Sequence, residues 1–171
     1  KNQRWMIIGD ASSGKTTLLY QLKLNEVVIT IPTIGFNVET FMVNNSKITF
    51  WDVGGNDKLR PLWRHYYKNT DGIIFLIDAL KVYDLEQIMD IKDEFWGALN
   101  NIELKKVPVL LFINKTDQIQ TSIIDIILYI SQKLDLQAIT DRRWLITPCC
   151  ALKKQTLQKG VEWLARNVFK K

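Results

Sequence analysis

The sequence predicts an α/β protein whose helices cover both faces of a doubly wound, mostly parallel β-sheet with an antiparallel hairpin at one edge. Two observations indicate this class: short apolar runs alternate with stretches of helical spacing, and one pair of runs flanks a polar turn. The chain has 171 residues, of which 47% are hydrophobic and 24% charged. These values fit a single domain over residues 1–171 and exclude disordered and collagen-like chains.

Four of the predicted strands are nearly continuous in apolar residues, which is the pattern of parallel strands covered on both faces. They are Trp5–Ile8, Gly72–Ile77, Val107–Ile113 and Trp144–Cys149. Two further runs, Phe36–Val43 and Ile48–Val53, flank the turn residues Asn44–Lys47 and therefore predict a hairpin. This hairpin is the antiparallel edge of the predicted sheet.

Helical spacing connects the strands. One predicted helical face consists of Leu85, Ile88, Met89, Phe95, Trp96 and Leu99, and a second consists of Leu157, Val161, Leu164, Ala165 and Val168. The Ile- and Leu-rich segment Ile123–Ile130 suits a strand or a helix, and its length favours a helix.

Composition limits where the protein acts. No run approaches the roughly 20 apolar residues that span a bilayer, and the first residues do not form a signal peptide. Because Cys149 and Cys150 are adjacent, they suit neither a disulfide framework nor a metal cage, and we expect a reducing, cytoplasmic compartment. The net charge of +5 is mild, so we expect a solvated basic surface and no nucleic-acid partner.

The strongest motif lies between the first strand and the first helix. Residues Gly9–Thr16 read G-D-A-S-S-G-K-T and match G-x-x-x-x-G-K-[ST], in which backbone N–H groups and a helix N-terminus surround phosphate oxygens. Lys15 is expected to reach the β- and γ-phosphates, and the Thr16 hydroxyl to ligate Mg²⁺. The predicted phosphate-binding residues are Gly9, Asp10, Ala11, Ser12, Ser13, Gly14, Lys15, Thr16 and Thr17.

A carboxylate followed by glycines ends the second hairpin strand. In Asp52-Val53-Gly54-Gly55, Asp52 is placed to hold Mg²⁺ through water, and Gly55 to bring a backbone N–H to the γ-phosphate. This D-x-x-G pattern is weak alone, because a strand-end Asp before glycines is usually an ordinary turn. Downstream of a phosphate-binding loop, the functional interpretation is favoured.

Asn114-Lys115-Thr116-Asp117 follows the third parallel strand, at the sheet edge where open α/β sheets bind ligands. Asp117 can accept from the ring N–H and the exocyclic amine of guanine together, which adenine cannot offer. Lys115 can lie over the base or ribose, and Cys150-Ala151 can present a backbone N–H to the guanine oxygen. The motif predicts GTP and GDP as ligands and argues against an ATPase or a nucleoside kinase.

Two stretches closely resemble the ADP-ribosylation-factor (Arf) and Arf-like branch of the Ras superfamily. The first is Ile31–Thr40 (I-P-T-I-G-F-N-V-E-T), and the second is Trp51–Gly55 (W-D-V-G-G) followed by Asp57-Lys58 and Arg60–Tyr67 (R-P-L-W-R-H-Y-Y). The similarity extends over nearly the whole chain. The resemblance implies a Ras-like P-loop NTPase fold. It also implies that Thr33 closes onto Mg²⁺ and the γ-phosphate, and that Phe36, Trp51 and Tyr66 bind effector proteins.

The resemblance further implies a cycling GTPase with an exchange factor, a GTPase-activating protein and a role in membrane traffic. Its hairpin is the interswitch, which in this family changes register between GDP and GTP states. Family members begin with an amphipathic helix that has no counterpart from Lys1 onward, so we expect attachment to an internal membrane only through that missing segment. The C-terminal residues lack a C-a-a-X box, which argues against prenylation.

The sequence departs from the family pattern at Asn56, where the family has the glutamine that positions the attacking water. Asparagine is one methylene shorter, so we expect very slow intrinsic hydrolysis, with Lys15 and Gly55 as the other candidate catalytic residues. Smaller departures are Ala11, where the family has aspartate, and Leu152, where it has threonine. A GTP-loaded recruitment scaffold with little or no hydrolysis is the alternative function.

Overall fold

The computed structural model describes residues 2–10, 13–23, 36–53 and 67–168. Within these ranges the strands are β1 (Asn2–Gly9), β2 (Phe36–Val43), β3 (Ser46–Val53), β4 (Gly72–Asp78), β5 (Val109–Asn114) and β6 (Trp144–Pro148). The α-helices there are α1 (Lys15–Lys23), α2 (Leu85–Leu99), α3 (Ile123–Lys133) and α4 (Gln158–Asn167). Short 3₁₀ helices lie at Ile102–Leu104, Thr116–Gln118, Leu136–Ala138 and Lys154–Thr156.

The described strands form one sheet in the order β2-β3-β1-β4-β5-β6. β2 pairs with β3 antiparallel at the edge, whereas β1, β3, β4, β5 and β6 pair with their neighbours in parallel. The predicted doubly wound, mostly parallel sheet with an antiparallel edge hairpin is confirmed. The parallel strands place their carboxyl ends at the same edge of the sheet, which is where the predicted site residues follow them.

The hairpin turn is tighter than predicted. Asn44 and Asn45 have φ values of 46° and 63°, and Ser46 already pairs with Val43, as Lys47 does with Met42. Two consecutive left-handed residues match the right-handed twist of the flanking strands, so two residues suffice to reverse the chain. The prediction that the turn extends to Lys47 is therefore wrong.

The ambiguous segment 123–130 is helical, within α3. Its N-cap is Ser122, whose side chain accepts a hydrogen bond from the Asp125 backbone N–H at 3.1 Å. This cap explains where the helix begins, because a serine hydroxyl satisfies one of the otherwise unpaired first N–H groups.

The predicted apolar helical face of α2 is only partly buried. Leu85 and Met89 are 65% and 56% exposed, whereas Ile88, Ile91 and Phe95 are buried. Trp96 is half-buried, and its indole N–H donates to the Leu134 backbone oxygen at 2.7 Å. The buried stripe is therefore narrower than the apolar stripe in the sequence.

The sheet separates two apolar layers. Met6 and Ile8 of β1 face the layer formed with α2 and α3, and Trp5 and Ile7 face the layer formed with α1 and α4. Because successive strand residues point to opposite faces, such a doubly covered strand must be apolar throughout, as β1 is from Trp5 onward. No helix in the described ranges is both long and apolar enough to cross a membrane.

Candidate functional site

The described part of the phosphate loop turns tightly after β1. The Ser13 backbone N–H donates to the Asp10 carbonyl at 3.0 Å, and the Ser13 hydroxyl donates to the same oxygen at 2.7 Å. The chain then enters α1, where the Leu18 N–H donates to the Gly14 carbonyl at 2.8 Å. The first N–H groups of α1 therefore begin at Lys15, and such groups attract anions.

Lys15 is a buried cation, 4% exposed. Its Nζ donates to the Gly9 carbonyl at 2.6 Å and to the Asp10 carbonyl at 2.9 Å. A lysine has three donors, and carbonyl oxygens do not neutralise its charge. The loop thus holds a positive charge among its own backbone atoms, beside the N-terminus of α1.

Gly14 brings the phosphate loop against the motif after β5. Its φ is +99°, and a Cβ there would collide with the side-chain amide nitrogen of Asn114. An L side chain rarely adopts this backbone conformation and would not fit in this space. Glycine is therefore required for the two loops to touch.

Asp52 meets Thr16 across the site. The Thr16 hydroxyl donates to Asp52 Oδ2 at 3.3 Å, and Asp52 is 6% exposed. Burial raises the pKa of Asp52, while the charge of Lys15 and the hydrogen bond from Thr16 lower it part of the way back. Its second oxygen, Oδ1, is buried without a hydrogen-bond partner among the described residues.

These two side chains fit a magnesium ion. The Thr16 hydroxyl and the Asp52 carboxylate lie together, and Asp52 Oδ1 is a buried oxygen without a hydrogen-bond partner among the described residues. Mg²⁺ prefers hard oxygen donors of this kind. The described residues contain no group of three or more His, Cys, Asp or Glu side chains placed to hold a metal. Magnesium commonly binds to one or two protein oxygens and completes its shell with phosphates and waters, so this sparse donor set suits it.

Asn114 joins the two sides of the site. It is 3% exposed, its Nδ2 donates to the Ser13 carbonyl at 2.8 Å, and its Oδ1 accepts from the Ala151 backbone N–H at 2.8 Å. The Cys149 thiol also donates to Oδ1, at 3.7 Å. The side chain therefore connects the phosphate loop to the loop after β6.

The turn after β5 presents Lys115 and Asp117. Lys115 has a left-handed φ of 65°, and the following 3₁₀ helix begins at Thr116. The Thr116 hydroxyl donates to the Cys149 carbonyl at 2.9 Å, which holds this turn against the loop after β6. Asp117 is exposed.

The predicted base-binding residues line one cavity of about 150 Å³. Its lining is Gly14, Thr17, Asn114, Lys115, Asp117, Gln118, Cys150, Ala151 and Leu152. Residues separated by more than 100 positions are thus brought together beside the phosphate loop, as the strand-end argument expects.

In the loop after β6, the backbone N–H groups expected to bind the guanine oxygen already have protein partners. The Cys150 N–H donates to the Thr156 hydroxyl at 3.0 Å, and the Ala151 N–H is occupied by Asn114. Either N–H would have to share or exchange its acceptor to bind a ligand oxygen. Cys149 and Cys150 are buried and unbridged, and burial raises the pKa of the Cys149 thiol, which disfavours the reactive thiolate.

Several predicted residues lie outside the described ranges. They are Ala11, Ser12, Thr33, Gly55, Asn56 and Tyr66. The backbone of Phe36 is described but its side chain is not, and Trp51 is half-buried with the Arg4 guanidinium carbon 4.1 Å from its ring centroid.

Asp78 and Thr156 at the site were not predicted from the sequence, and Thr116 lay within the predicted base motif without a predicted role. Asp78 pairs with Asn114 in register and bonds Lys115 Nζ at 2.8 Å. The sequence signal for Asp78 was a carboxylate at the end of the apolar strand β4. In the structure β4 lies next to β5, the strand that precedes the base motif. No comparable pattern marks Thr156.

The family model of the ADP-ribosylation factor family matches residues 1–168. The chain belongs to the ADP-ribosylation factor family. It is therefore an Arf-family small GTPase, and the sheet, flanking helices and phosphate loop described above are those of a Ras-like P-loop GTPase fold. Arf-family GTPases bind guanine nucleotides, which agrees with the base motif after β5.

A solved structure supports the same assignment. This Arf-family chain is similar to the Arl6 BBS3 small GTPase from Trypanosoma brucei with bound nucleotide analogue GppNp. The two share 29% sequence identity and a TM-score of 0.82, and the match covers 98% of each chain.

Proposed function

We propose that this Arf-family GTPase is a molecular switch that binds GTP or GDP with Mg²⁺ through Gly9–Thr16 and recruits effectors in membrane traffic. The observation that carries the nucleotide part is the position of Asn114. Its buried side chain bonds both the phosphate loop and the loop after β6, which supports one ligand that spans the proposed phosphate-binding and base-binding residues. The single-domain organisation over residues 1–171 is part of the same proposal.

On the phosphate side, Lys15 and the first N–H groups of α1 would bind the β- and γ-phosphates. Lys15 Nζ already lies in the loop, 2.6 Å from the Gly9 carbonyl, and would exchange such carbonyl contacts for phosphate oxygens. Thr16 and Asp52, the latter through water, would hold Mg²⁺, which supplies charge neutralisation between phosphate oxygens. Thr33 and Gly55 would complete this side when the γ-phosphate is present.

On the base side, Asp117 would accept two hydrogen bonds from guanine, and the Lys115 stem would cover the base or ribose. The Ala151 N–H would share its hydrogen with the guanine oxygen and Asn114 Oδ1. Loss of a buried two-bond pairing costs several kcal/mol, which supports discrimination against adenine.

Nucleotide selection tests the proposal directly. The nucleotide extracted from freshly purified protein would be identified by chromatography, and the stripped protein titrated with GDP, GTP and ATP in the presence of Mg²⁺. We expect guanine nucleotides to bind and ATP not to compete at equal concentration. Equal retention of ATP, or no binding of GDP, would overturn the proposal.

The effector surface is proposed at Phe36, Trp51 and Tyr66. Trp51 supports it, because this strand tryptophan is only half-buried. Exposed aromatic residues are common anchors of protein interfaces. We propose that GTP exposes this surface, that an exchange factor and a GTPase-activating protein drive the cycle, and that the protein acts in the cytoplasm or peripherally on an internal membrane.

Hydrolysis is proposed to be slow because Asn56 is shorter than glutamine. A water displaced by roughly 1 Å reduces the rate about a hundredfold when the surrounding residues do not adjust. We expect Asn56→Gln to accelerate single-turnover GTP hydrolysis, with Asn56→Ala as the control that removes the amide altogether. Equal rates for the wild type and Asn56→Gln would show that this position does not limit hydrolysis.

The alternative is a GTP-loaded recruitment scaffold that hardly hydrolyses its ligand. The feature that favours it is again Asn56. GTP in the freshly purified protein favours the scaffold, whereas GDP favours the cycling enzyme.

A further inference from the structure

Asp78 is a buried carboxylate outside the cavity that the base-side residues line. It is the last residue of β4 and only 3% exposed. Each of its oxygens has its own partner: Oδ1 accepts the Leu80 backbone N–H at 2.9 Å, and Oδ2 accepts Lys115 Nζ at 2.8 Å. The carboxylate therefore closes a local turn and anchors a lysine from the neighbouring strand's loop.

Lys115 is held at both ends. Its backbone occupies the left-handed region, with φ of 65°, and the Ala79 N–H bonds the Asn114 carbonyl just before it, at 3.0 Å. Its side chain is 29% exposed and lines the cavity, while its Nζ meets Asp78. A lysine stem has four rotatable bonds, so fixing its terminal nitrogen removes most of its conformational freedom before any ligand arrives.

An ion pair with one buried partner, such as Asp78–Lys115, adds little stability, because taking charge out of water offsets much of the attraction. Its expected benefit is instead a defined geometry. Here the side chain with the defined geometry is Lys115, which lines the cavity, whereas Asp78, which holds it, is not part of the lining.

We propose that Asp78 is a positioning residue that fixes the Lys115 stem for contact with the guanine nucleoside. This inference rests on the proposed function, since it assumes that a guanine nucleotide occupies the cavity. Asp78 touches neither base nor phosphate and acts only through Lys115.

The test is a double-mutant cycle on the release of a fluorescent GDP analogue, with Asp78→Asn, Lys115→Met and the double variant. Asparagine retains an oxygen for the Leu80 N–H but loses the charge that holds Lys115, and methionine retains an apolar stem without the ammonium group. We expect Asp78→Asn alone to accelerate release about tenfold, the usual effect of losing a hydrogen bond to a charged group. In the Lys115→Met background we expect Asp78→Asn to change the rate less than about twofold.

A matched control is Asp84→Asn. Asp84 also caps a backbone N–H, that of Gln87 at 3.1 Å, but it is exposed and lies at the start of α2. We expect this variant to release the analogue at the wild-type rate.

An Asp78→Asn effect of equal size in both backgrounds would overturn the inference, because Asp78 would then act through the Leu80 turn. No effect in the wild-type background would overturn it as well. Both results leave the proposed function intact, whereas a wild-type protein that does not bind the analogue would remove the proposed function and this inference together. Asp78→Ser, whose hydroxyl can also accept in a turn, replaces asparagine in the cycle if Asp78→Asn does not fold.

Discussion

The two sides of the site differ in how completely the protein satisfies its own polar groups. On the base side, Asn114, Thr116 and Lys115 all have protein partners at 2.8–2.9 Å. On the phosphate side, Asp52 Oδ1 is buried without a partner among the described residues, and Lys15 bonds uncharged carbonyl oxygens.

The difference indicates which side is ready before a ligand binds. A satisfied hydrogen-bond network is rigid and pre-organised, so base recognition should depend little on rearrangement. A buried carboxylate with one unsatisfied oxygen and a buried ammonium are better stabilised with further counter-charges, which magnesium and a polyphosphate would supply. The base side should therefore determine which nucleotide binds, and the phosphate side should respond to its charge state.

The largest expected effect concerns the base side. Asp117→Asn replaces two acceptor oxygens by one oxygen and one amide donor, so guanine loses a partner and xanthine, which has an oxygen at the corresponding position, gains one. We expect GDP affinity to fall about a hundredfold and the preference to shift toward XDP, measured by competition against the fluorescent GDP analogue.

Gln118→Ala is the control, because Gln118 also lines the cavity and is exposed. We expect it to retain the preference for GDP. If Asp117→Asn binds GDP and XDP as the wild type does, the base side does not determine nucleotide identity.

An intermediate effect is expected on the phosphate side. Asp52→Asn removes the carboxylate but preserves its size, so we expect the magnesium dependence of GDP retention to shift to at least about tenfold higher concentrations. The measurement is the release rate of the fluorescent analogue across a magnesium titration. Asp71→Asn serves as a control on an acid outside the cavity, one that accepts the Arg4 N–H at 2.9 Å.

The Asp52→Asn variant also tests how the stability of the protein depends on pH. Because burial raises the pKa of Asp52 in the folded protein above that in the unfolded chain, folding takes up a proton between the two values. Stability from this group is therefore present at low pH and lost as the pH rises through that window. Without nucleotide and magnesium, Asp52→Asn should be more stable than the wild type at neutral pH, and urea unfolding should show the difference shrinking on acidification. A less stable Asp52→Asn at neutral pH would contradict the argument.

The smallest expected effect sharpens the account of the base side. The Thr156 hydroxyl lies 3.0 Å from the Cys150 N–H, 2.9 Å from the Cys150 carbonyl and 2.7 Å from the Lys153 carbonyl. Thr156→Val keeps the shape and removes the hydroxyl, so we expect release of the GDP analogue to accelerate about threefold, as for a neutral hydrogen bond. Thr156→Ser should restore the wild-type rate. Unchanged release in Thr156→Val would show that this loop is held without Thr156.

Much of this architecture was predictable because burial leaves a simple pattern. A strand covered on both faces must be apolar, so β1, β4 and β5 were visible as continuous runs, and their carboxyl ends located the motifs. The exposure of Leu85 and Met89 was not predictable, because α2 carries more apolar residues than the sheet covers. The extent of the hairpin turn depends on the left-handed Asn44 and Asn45, which the sequence does not distinguish from a longer loop.

Within the site, residue types were easier to predict than partners. Lys115 and Asn114 of the motif line the cavity, but nothing in the motif indicated that Asp78 would bond Lys115 or that Ala151 would bond Asn114. Such pairs depend on strand order, since β4 lies next to β5 in space although more than 30 residues separate Asp78 from Asn114. Spacing along the chain cannot supply that information.

The contact between Gly14 and Asn114 has a thermodynamic consequence. With no Cβ at Gly14, the backbone of the phosphate loop lies directly against the Asn114 side chain, so we expect nucleotide binding at the two loops to be coupled. Coupling of this kind is reciprocal: whatever factor a bound nucleoside adds to the affinity for pyrophosphate, pyrophosphate must add to the affinity for the nucleoside. Gly14 would thus allow the nucleoside and phosphate parts of the nucleotide to bind cooperatively.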